Sequence, residues 1–174
     1  MIHLNVPRRK IELSEYSVQY PKLFQHERAM ILDYASEIVE EIEHVGSTAI
    51  PNIIGKPTID MVVKLRKDIT LDNCVEIFTA INYNFISSLV GYRPKRRIFW
   101  KGSSDHHKFH VHAVENQSPD WELLIKFRDK LIKSEKLKRR YESIKFMLKD
   151  QDEYDVGSYI AGKDDFFWEV VNDS

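Results

Sequence analysis

Cysteine, glycine, proline and long apolar runs are all scarce in this sequence. It has one cysteine, six glycines and six prolines among 174 residues. The single cysteine, Cys74, excludes a disulfide framework and favours a reducing compartment. No run of about 18 apolar residues occurs, so no transmembrane helix is predicted, and residues 1–10 lack the apolar segment of a signal peptide. We therefore expect a cytoplasmic protein without a membrane partner.

Neither sign of charge dominates the composition. The chain has 26 Lys and Arg residues against 27 Asp and Glu residues, for a formal net charge of −1, so the surface as a whole is not built to attract nucleic acid. Hydrophobic residues make up 43% and charged residues 30%, a balance typical of globular rather than disordered proteins. With no repeat or low-complexity linker, we expect one domain over residues 1–174.

Apolar periodicity and turn residues predict a mixed order of helices and strands. Helices are predicted at about Tyr20–Ser36 and Thr70–Ile81, and after Pro119 at Asp120–Ser134, Glu135–Lys149 and Asp152–Val171. Strands are predicted in the second half of Ile38–Val45 and at Thr58–Leu65, Arg97–Lys101 and Lys108–Val114, with a short helix at Ser47–Ile54. This order predicts an α/β (α+β) fold, with a mixed sheet flanked by helices at about 18–117 and a C-terminal helical section at about 118–171.

A tight turn carries the first candidate ligand-binding residues. The run from Ile42 to Pro51 reads IEHVGSTAIP, so a predicted strand leads directly into Gly46 and Ser47. Glycine allows close approach of the backbone, and the start of a helix offers N–H groups and a positive dipole end. The turn is therefore a candidate phosphate-binding site, with a plain capped turn as the alternative. Lys56 is a second candidate phosphate contact, with an ordinary surface lysine as the alternative.

A carboxylate follows on the next predicted strand. Asp60 lies between Ile59 and Met61, where an acidic side chain is costly unless it is paired, hydrogen-bonded or bound to a metal. A Gly-Ser turn followed by a strand aspartate resembles the DNA polymerase beta-type nucleotidyltransferase superfamily, which implies a triphosphate at the turn and two divalent metals at strand carboxylates. That pattern has a second carboxylate two residues later, where this chain has Val62. We therefore expect weakened or altered metal binding.

Histidines are concentrated near the last predicted strand. Four of them, at positions 106, 107, 110 and 112, fall within seven residues. His110 and His112 are two apart on a strand, so both rings point to the same face. Such a pair can chelate a metal or act as acid, base or phosphate donor. Structural histidines with satisfied hydrogen bonds are the alternative.

The candidate metal ligands are Asp60, His110 and His112, with His44 or Glu43 as a further ligand or an outer partner. The first three are also the candidate catalytic residues. A divalent ion, Mg²⁺, Mn²⁺ or Zn²⁺, is the expected cofactor.

Basic residues are concentrated in two segments. Trp121–Lys149 has ten Lys and Arg residues against four acidic ones, and Arg93–Lys101 has five with no acid. Facing the site, they would attract phosphate or another anion, whereas a solvated helix face is the alternative. Arg128 and Lys163 are individual candidate ligand contacts, although pairing with a carboxylate is the favoured interpretation of Arg128.

Together these segments resemble the GrpB family. The block from Ile42 to Asp60 carries most of the resemblance. Later pieces are similar as well, namely His110-Val111-His112, Trp121, Phe127-Arg128-Asp129, Tyr141, Lys145, Tyr159, Gly162-Lys163 and Phe166. The resemblance covers about residues 18–170 and implies a nucleotidyltransferase-like core with C-terminal helices, and it makes Val62 a family feature. Fusion of the family to dephospho-coenzyme A kinase in some bacteria implies a link to nucleotides or to coenzyme A biosynthesis.

Three functions fit this pattern. The first is a nucleotidyl or phosphoryl transferase that binds a nucleotide at the Gly46-Ser47 turn beside one divalent metal. The second is a non-catalytic nucleotide- or anion-binding module of the same fold, which the missing carboxylate at Val62 favours. The third, and least favoured, is RNA binding by the basic helical region, which carries no base-reading motif.

Overall fold

A mixed sheet with helices on both faces forms the centre of the molecule. The computed structural model describes residues 7–173. Within that range the helices are α1 (Tyr20–Ala35), α2 (Asn73–Ala80), α3 (Asp120–Lys133), α4 (Glu135–Gln151), α5 (Val156–Ala161) and α6 (Asp164–Asn172). The strands are β1 (Val39–Val45), β2 (Ile59–Leu65), β3 (Asn84–Phe85), β4 (Arg96–Gly102) and β5 (His107–Val114). Short 3₁₀ turns occur at Ser47–Ala49 and Ser87–Leu89.

The strand order is β1-β2-β5-β4-β3. Strands β2 and β5 are parallel, and every other neighbouring pair in this sheet is antiparallel. The parallel register pairs Asp60 with His110 and Val62 with His112. Because paired residues on adjacent strands point to the same face, this register places the Asp60 carboxylate beside the two histidine rings.

The two faces of the sheet have different partners. One face packs against α1 and α2, and its core includes Met61, Val63, Phe78, Phe99 and Val111. Cys74 of α2 is fully buried in this core, and burial raises the pKa of its thiol to about 12. The opposite face carries the Asp60 side chain and is covered by the C-terminal helices. Those helices have a core of their own, formed by Ile50, Ile53, Phe127, Leu131, Tyr141, Phe166, Val170 and Val171.

An N-terminal segment, Arg8–Ser14, is tied to the rest of the chain by backbone hydrogen bonds. The N–H of Ile11 donates to the carbonyl of Glu153 at 2.7 Å, and Ser14 exchanges two hydrogen bonds with Gly55 at 2.9 and 3.0 Å. Ile11 is fully buried against residues of α5. The segment is thereby held at the edge of the site described below.

The predicted element order is confirmed, with three differences. The short helix predicted at Ser47–Ile54 is a 3₁₀ turn that ends at Ala49, because Pro51 has no N–H to continue it. The last predicted helix is two helices that meet at Gly162 and Lys163. Strand β3, only two residues long, was too short to predict. In the described part of the chain, no helix is both long and apolar enough to cross a membrane.

Candidate functional site

A cavity of about 430 Å³ lies between the Asp60 face of the sheet and the C-terminal helices. Seven of the ten predicted site residues line it, namely Gly46, Ser47, Lys56, Asp60, His110, His112 and Lys163. The turn after β1, the parallel pair β2 and β5, and the junction of α5 and α6 thus converge on one space. The other three predicted residues, Glu43, His44 and Arg128, lie elsewhere.

A directional chain of hydrogen bonds runs from the N-terminal segment to Asp60. Arg9 donates to Nε2 of His107, because a guanidinium can only donate. His107 then donates from Nδ1 to Nε2 of His110 at 2.9 Å. His110 in turn donates from Nδ1 to Oδ1 of Asp60 at 3.1 Å. Each imidazole thus uses one nitrogen as a donor and the other as an acceptor in this chain.

The surroundings of His107 favour its neutral form. Burial, followed by the charge of Arg9, lowers the pKa of His107 to about 3. The ring is also stacked on Trp100, with centroids 4.1 Å apart and planes within 3° of parallel. The stacking and the hydrogen bond from Arg9 together fix the orientation of His107 and, through it, that of His110.

Asp60 is held as a carboxylate. Burial by itself would raise the pKa of Asp60, but the hydrogen bonds and charges of His110 and His112 bring it well below its ordinary value. Nε2 of His112 is 3.8 Å from Oδ1 of Asp60, and burial lowers the pKa of His112. Nδ1 of His112 is buried and has no hydrogen-bond partner among residues 7–173. The cavity floor therefore presents an ionised carboxylate that is hydrogen-bonded to an imidazole.

This arrangement does not fit the metal centre predicted from the sequence. In the range that the structure describes, no three His, Cys, Asp or Glu side chains are placed to hold one ion. Both nitrogens of His110 are engaged, one with Asp60 and one with His107, so neither has a lone pair left for a metal. The metal site stays a prediction from the sequence.

The position of the missing second carboxylate is occupied by apolar packing. Val62 is fully buried on the same face as Asp60. It packs with Val45 and Val114 against the partly buried Trp121, Leu124 and Ile125 of α3. A carboxylate at position 62 would therefore point into the underside of α3 and not into the cavity.

His44 does not join Asp60. It pairs with Met61 across β1 and β2, which places it on the opposite face of the sheet. There it stacks on Phe24, with centroids 4.8 Å apart, and its Nε2 is 3.0 Å from Oγ1 of Thr48. Its role as an additional metal ligand is therefore wrong on geometric grounds. Burial lowers the pKa of His44 to about 4.

Arg128 is paired with carboxylates and does not line the cavity. From α3 its guanidinium donates to Glu43 at 2.6 Å and to Asp129 at 2.8 Å, and also to the carbonyl of His44 at 2.8 Å. Arg128 therefore forms ion pairs, which was the favoured interpretation of its sequence position, and not the ligand contact. The carboxylate of Glu43, the other candidate outer ligand, is engaged in this ion pair with Arg128.

Several residues of the two basic segments are also paired with carboxylates. Arg96 pairs with Asp120 at 2.8 Å, and Arg140 pairs with Glu169 at 2.6 Å. Arg93 lines the cavity but donates to Asp164 at 2.5 Å. These contacts favour the solvated and paired alternative over a continuous anion-binding surface.

Two lysines in the cavity wall differ from the other cations. Nζ of Lys56 lies 4.3 Å from the centroid of the Tyr159 ring, and Nζ of Lys163 lies 4.2 Å from the same centroid. Neither ammonium group forms an ion pair with a carboxylate in the described range 7–173. Burial, with the neighbouring cations, lowers the pKa of Lys56 well below its ordinary value. Burial also lowers the pKa of Lys163 to about 8.

Lys145 is a functional candidate that the residue patterns did not single out. It is 1% exposed in the middle of α4, and its Nζ donates to the carbonyl of Ile54 and lies 3.3 Å from Oγ of Ser47. Burial lowers the pKa of Lys145 to about 7. One feature of the sequence indicates this burial. Lys145 follows Tyr141 by four residues, a helical spacing that places both side chains on the same buried face of α4.

Comparisons with known proteins identify the family of this chain and its fold. Residues 10–173 match the family described as GrpB protein. The UPF0157 protein YqkA of Bacillus subtilis is 32% identical over 168 residues, which cover 92% of this chain but only 46% of that relative. The glutamate-rich protein GrpB of Alkalihalophilus pseudofirmus is 30% identical over 98% of this chain and 99% of its own length.

Solved structures show the same fold. The crystal structure of the conserved protein GrpB from Enterococcus faecalis superposes with a TM-score of 0.79 at 24% identity, covering 92% of this chain and 95% of that one. A chain of the GLD-2/RNP-8 complex superposes with a TM-score of 0.53 at 13% identity, covering 90% of this chain and 59% of that one. The predicted nucleotidyltransferase-like α/β fold is thus confirmed, and the chain belongs to the GrpB family.

Proposed function

We propose that this chain binds a nucleotide or another phosphorylated small molecule in the cavity between the sheet and the C-terminal helices. The observation that carries the proposal is the pair of ammonium groups, from Lys56 and Lys163, that line the cavity over one tyrosine ring. Within residues 7–173 neither has a carboxylate oxygen within 4.0 Å, although the charge of Asp60 acts on both. A half-buried cation of this kind gains most from an anionic ligand. Phosphate groups supply that charge.

The rest of the cavity favours a ligand with an aromatic group. Its volume of about 430 Å³ falls within the range typical of small-molecule sites. Its lining includes the rings of Tyr92, Trp100, Tyr159, Phe167 and Trp168. Trp168 is 45% exposed, so its ring is available at the rim for stacking on a nucleobase. A nucleotide matches both the cationic and the aromatic parts.

A second candidate function is group transfer from the bound nucleotide. Asp60 favours it, because the two histidines keep this carboxylate ionised at the cavity floor. An ionised carboxylate can accept a proton from an attacking hydroxyl group. The two-metal form of that reaction is not favoured, because the position of the second carboxylate is occupied by Val62 in apolar surroundings. We therefore place binding first and transfer second.

Isothermal titration calorimetry tests the binding proposal. The panel is ATP, UTP, ADP, coenzyme A and inorganic phosphate; coenzyme A is included because the resemblance implies a link to its biosynthesis. We expect a nucleotide to bind, and Lys56→Met and Lys163→Met each to weaken it by about tenfold or more, since charge-assisted hydrogen bonds contribute about 1.5–3 kcal/mol. The matched control is Lys136→Met, which removes an exposed lysine of α4 and leaves affinity unchanged. Equal affinity in all four proteins would contradict the proposal.

Transfer is tested separately with a labelled nucleotide. Asp60→Asn removes the negative charge and keeps the size of the side chain. If Asp60 accepts a proton during transfer, this variant loses turnover by about a hundredfold or more and still binds the nucleotide. Turnover that survives in the variant would exclude Asp60 from that role.

A further inference from the structure

Ser47 and Lys145 form a contact that nucleotide binding leaves unexplained. Ser47 lines the cavity, whereas Lys145 is 1% exposed and lies behind it on α4. Oγ of Ser47 and Nζ of Lys145 are 3.3 Å apart. Ser47 thus lies at the cavity wall, and the amine of Lys145 reaches its hydroxyl group from the protein side.

The position of Ser47 is fixed from two directions. A Cβ atom at Gly55 would be only 2.4 Å from Cβ of Ser47, so the backbone of Gly55 packs directly against the serine. The 3₁₀ turn beginning at Ser47 is closed by a hydrogen bond from Ile50 N–H to the Ser47 carbonyl at 3.1 Å. The serine is therefore held in place before any ligand arrives, which is what a reacting group requires.

The surroundings of Lys145 allow its neutral form near pH 7. Burial and the charge of Lys163 lower the pKa of Lys145 to about 7, while Glu142 opposes the shift. Glu142 is itself engaged, because it accepts a hydrogen bond from Ile54 N–H at 2.6 Å. Nζ of Lys145 also lies 4.5 Å from the centroid of the Tyr141 ring. A neutral amine can donate to the Ile54 carbonyl and still accept the Ser47 proton.

We propose that Ser47 is a nucleophile and that Lys145 is its general base. The contacts above carry this pair; its substrate class, a nucleoside triphosphate, rests on the proposed function. Oγ of Ser47 forms a bond to the terminal phosphorus, and the bond from that phosphorus to the bridging oxygen breaks. The serine proton passes to Nζ of Lys145, and the nucleoside diphosphate leaves with the bonding electrons. Ser47 then carries a phosphoryl group, while Lys56 and Lys163 neutralise charge on the phosphates.

A fluorophosphonate probe tests the pair without requiring nucleotide binding. Attack by Ser47 forms an Oγ–P bond and releases fluoride, and peptide mass spectrometry locates the adduct. We expect labelling at Ser47 with a rate that rises with pH and levels off above a midpoint near pH 7. Labelling at another serine instead of Ser47, or a rate at Ser47 that does not change with pH, would overturn the proposal.

Variants of Lys145 separate a general base from a structural contact. Lys145→Met removes the base, and Lys145→Arg keeps a cation that cannot lose its proton. Each variant that remains folded by circular dichroism should label Ser47 about a hundredfold more slowly. Ser143→Ala, a neighbouring position on α4 whose hydroxyl donates to the Arg139 carbonyl, should label at the wild-type rate. An unchanged rate in a folded Lys145 variant would contradict the role of Lys145.

Incubation with ATP tests the substrate class. We expect a phosphoryl group on Ser47 in the wild-type protein and none in Lys145→Met. Calorimetry of the same samples keeps the two proposals apart. Binding of ATP without phosphorylation or probe labelling would reject the Ser47–Lys145 pair alone. Probe labelling of Ser47 without any nucleotide binding would reject the proposed function and the phosphoryl substrate while retaining the nucleophile.

Discussion

Gly46 lies directly against the carboxylate of Asp60. A Cβ atom at position 46 would be 2.3 Å from Oδ2 and 2.8 Å from Cβ of Asp60. Gly46 also has φ of 69° and ψ of −171°, a conformation that is essentially restricted to glycine. The turn that positions Ser47 and the strand that carries Asp60 are thus in contact through a residue that has no side chain.

Gly46→Ala is expected to disturb both groups at once. The backbone strain alone should cost about 1–3 kcal/mol in the free energy of unfolding, and the Asp60 carboxylate must move to make room. Urea denaturation measures the loss of stability, and calorimetry measures the loss of nucleotide affinity. Gly91→Ala is the matched control, since a Cβ atom there meets nothing within 4 Å. Equal stability of the two variants would contradict the close contact.

Val62→Asp introduces a carboxylate at the position where the sequence pattern led us to expect one, and it should destabilise the protein without creating a metal site. Val62 is fully buried against α3, so an unpaired carboxylate there should cost several kcal/mol, about 3–5 or more. Val62→Ala, with a smaller cost of about 1–3 kcal/mol, separates the charge from the lost packing. A stable Val62→Asp protein that binds Mn²⁺ would show that this position opens into the cavity.

His44 should make stability fall as the solution becomes acidic. Its pKa is about 4 in the folded protein and about 6.5 when unfolded. The unfolded state therefore takes up the proton first, and the free energy of unfolding decreases as the pH falls from 6.5 towards 4. Between pH 7 and pH 5 the wild-type protein should lose about 2 kcal/mol more than His44→Gln.

The matched control for His44 is His26→Gln, which changes an exposed histidine of α1. It should keep the full pH dependence of the wild-type protein in urea denaturation. An identical slope for His44→Gln and wild type would mean that His44 is not buried against Phe24 and Thr48 as found here.

Removal of divalent ions should leave nucleotide affinity largely unchanged. In the proposed function Lys56 and Lys163 meet the charge of the ligand, and His110 is already bonded to Asp60 and His107. Calorimetry in a chelating buffer and then with added Mg²⁺, Mn²⁺ or Zn²⁺ measures the effect. A gain in affinity that requires the metal and disappears in Asp60→Ala and His112→Ala would instead support the metal centre predicted from the sequence.

The fold and the centre of the site could be predicted because local patterns determine them. Alternation along a strand puts His110 and His112 on one face, and the parallel register then brings them to Asp60. The face of the sheet on which His44 lies could not be predicted in the same way. Its face depends on how β1 aligns with β2, and that register is set by the intervening turn and not by the strand sequence.

Other parts of the site depend on contacts between distant segments. Arg9 and His107 are 98 positions apart, and residues 7–13 lie outside any helix or strand, so no periodicity points to their contact. Lys145 was part of the family resemblance but was given no role, because a lysine on a helix is ordinarily solvated. Its burial becomes visible only when α4 is packed behind the turn at Ser47.

A crystal structure grown with a non-hydrolysable nucleoside triphosphate would test the central claim most directly. We expect the phosphates beside Lys56 and Lys163 and the base against the aromatic rim near Trp168. A nucleotide bound outside this cavity, or a cavity without nucleotide at saturating concentration, would contradict the assignment of these two lysines as the phosphate-binding groups.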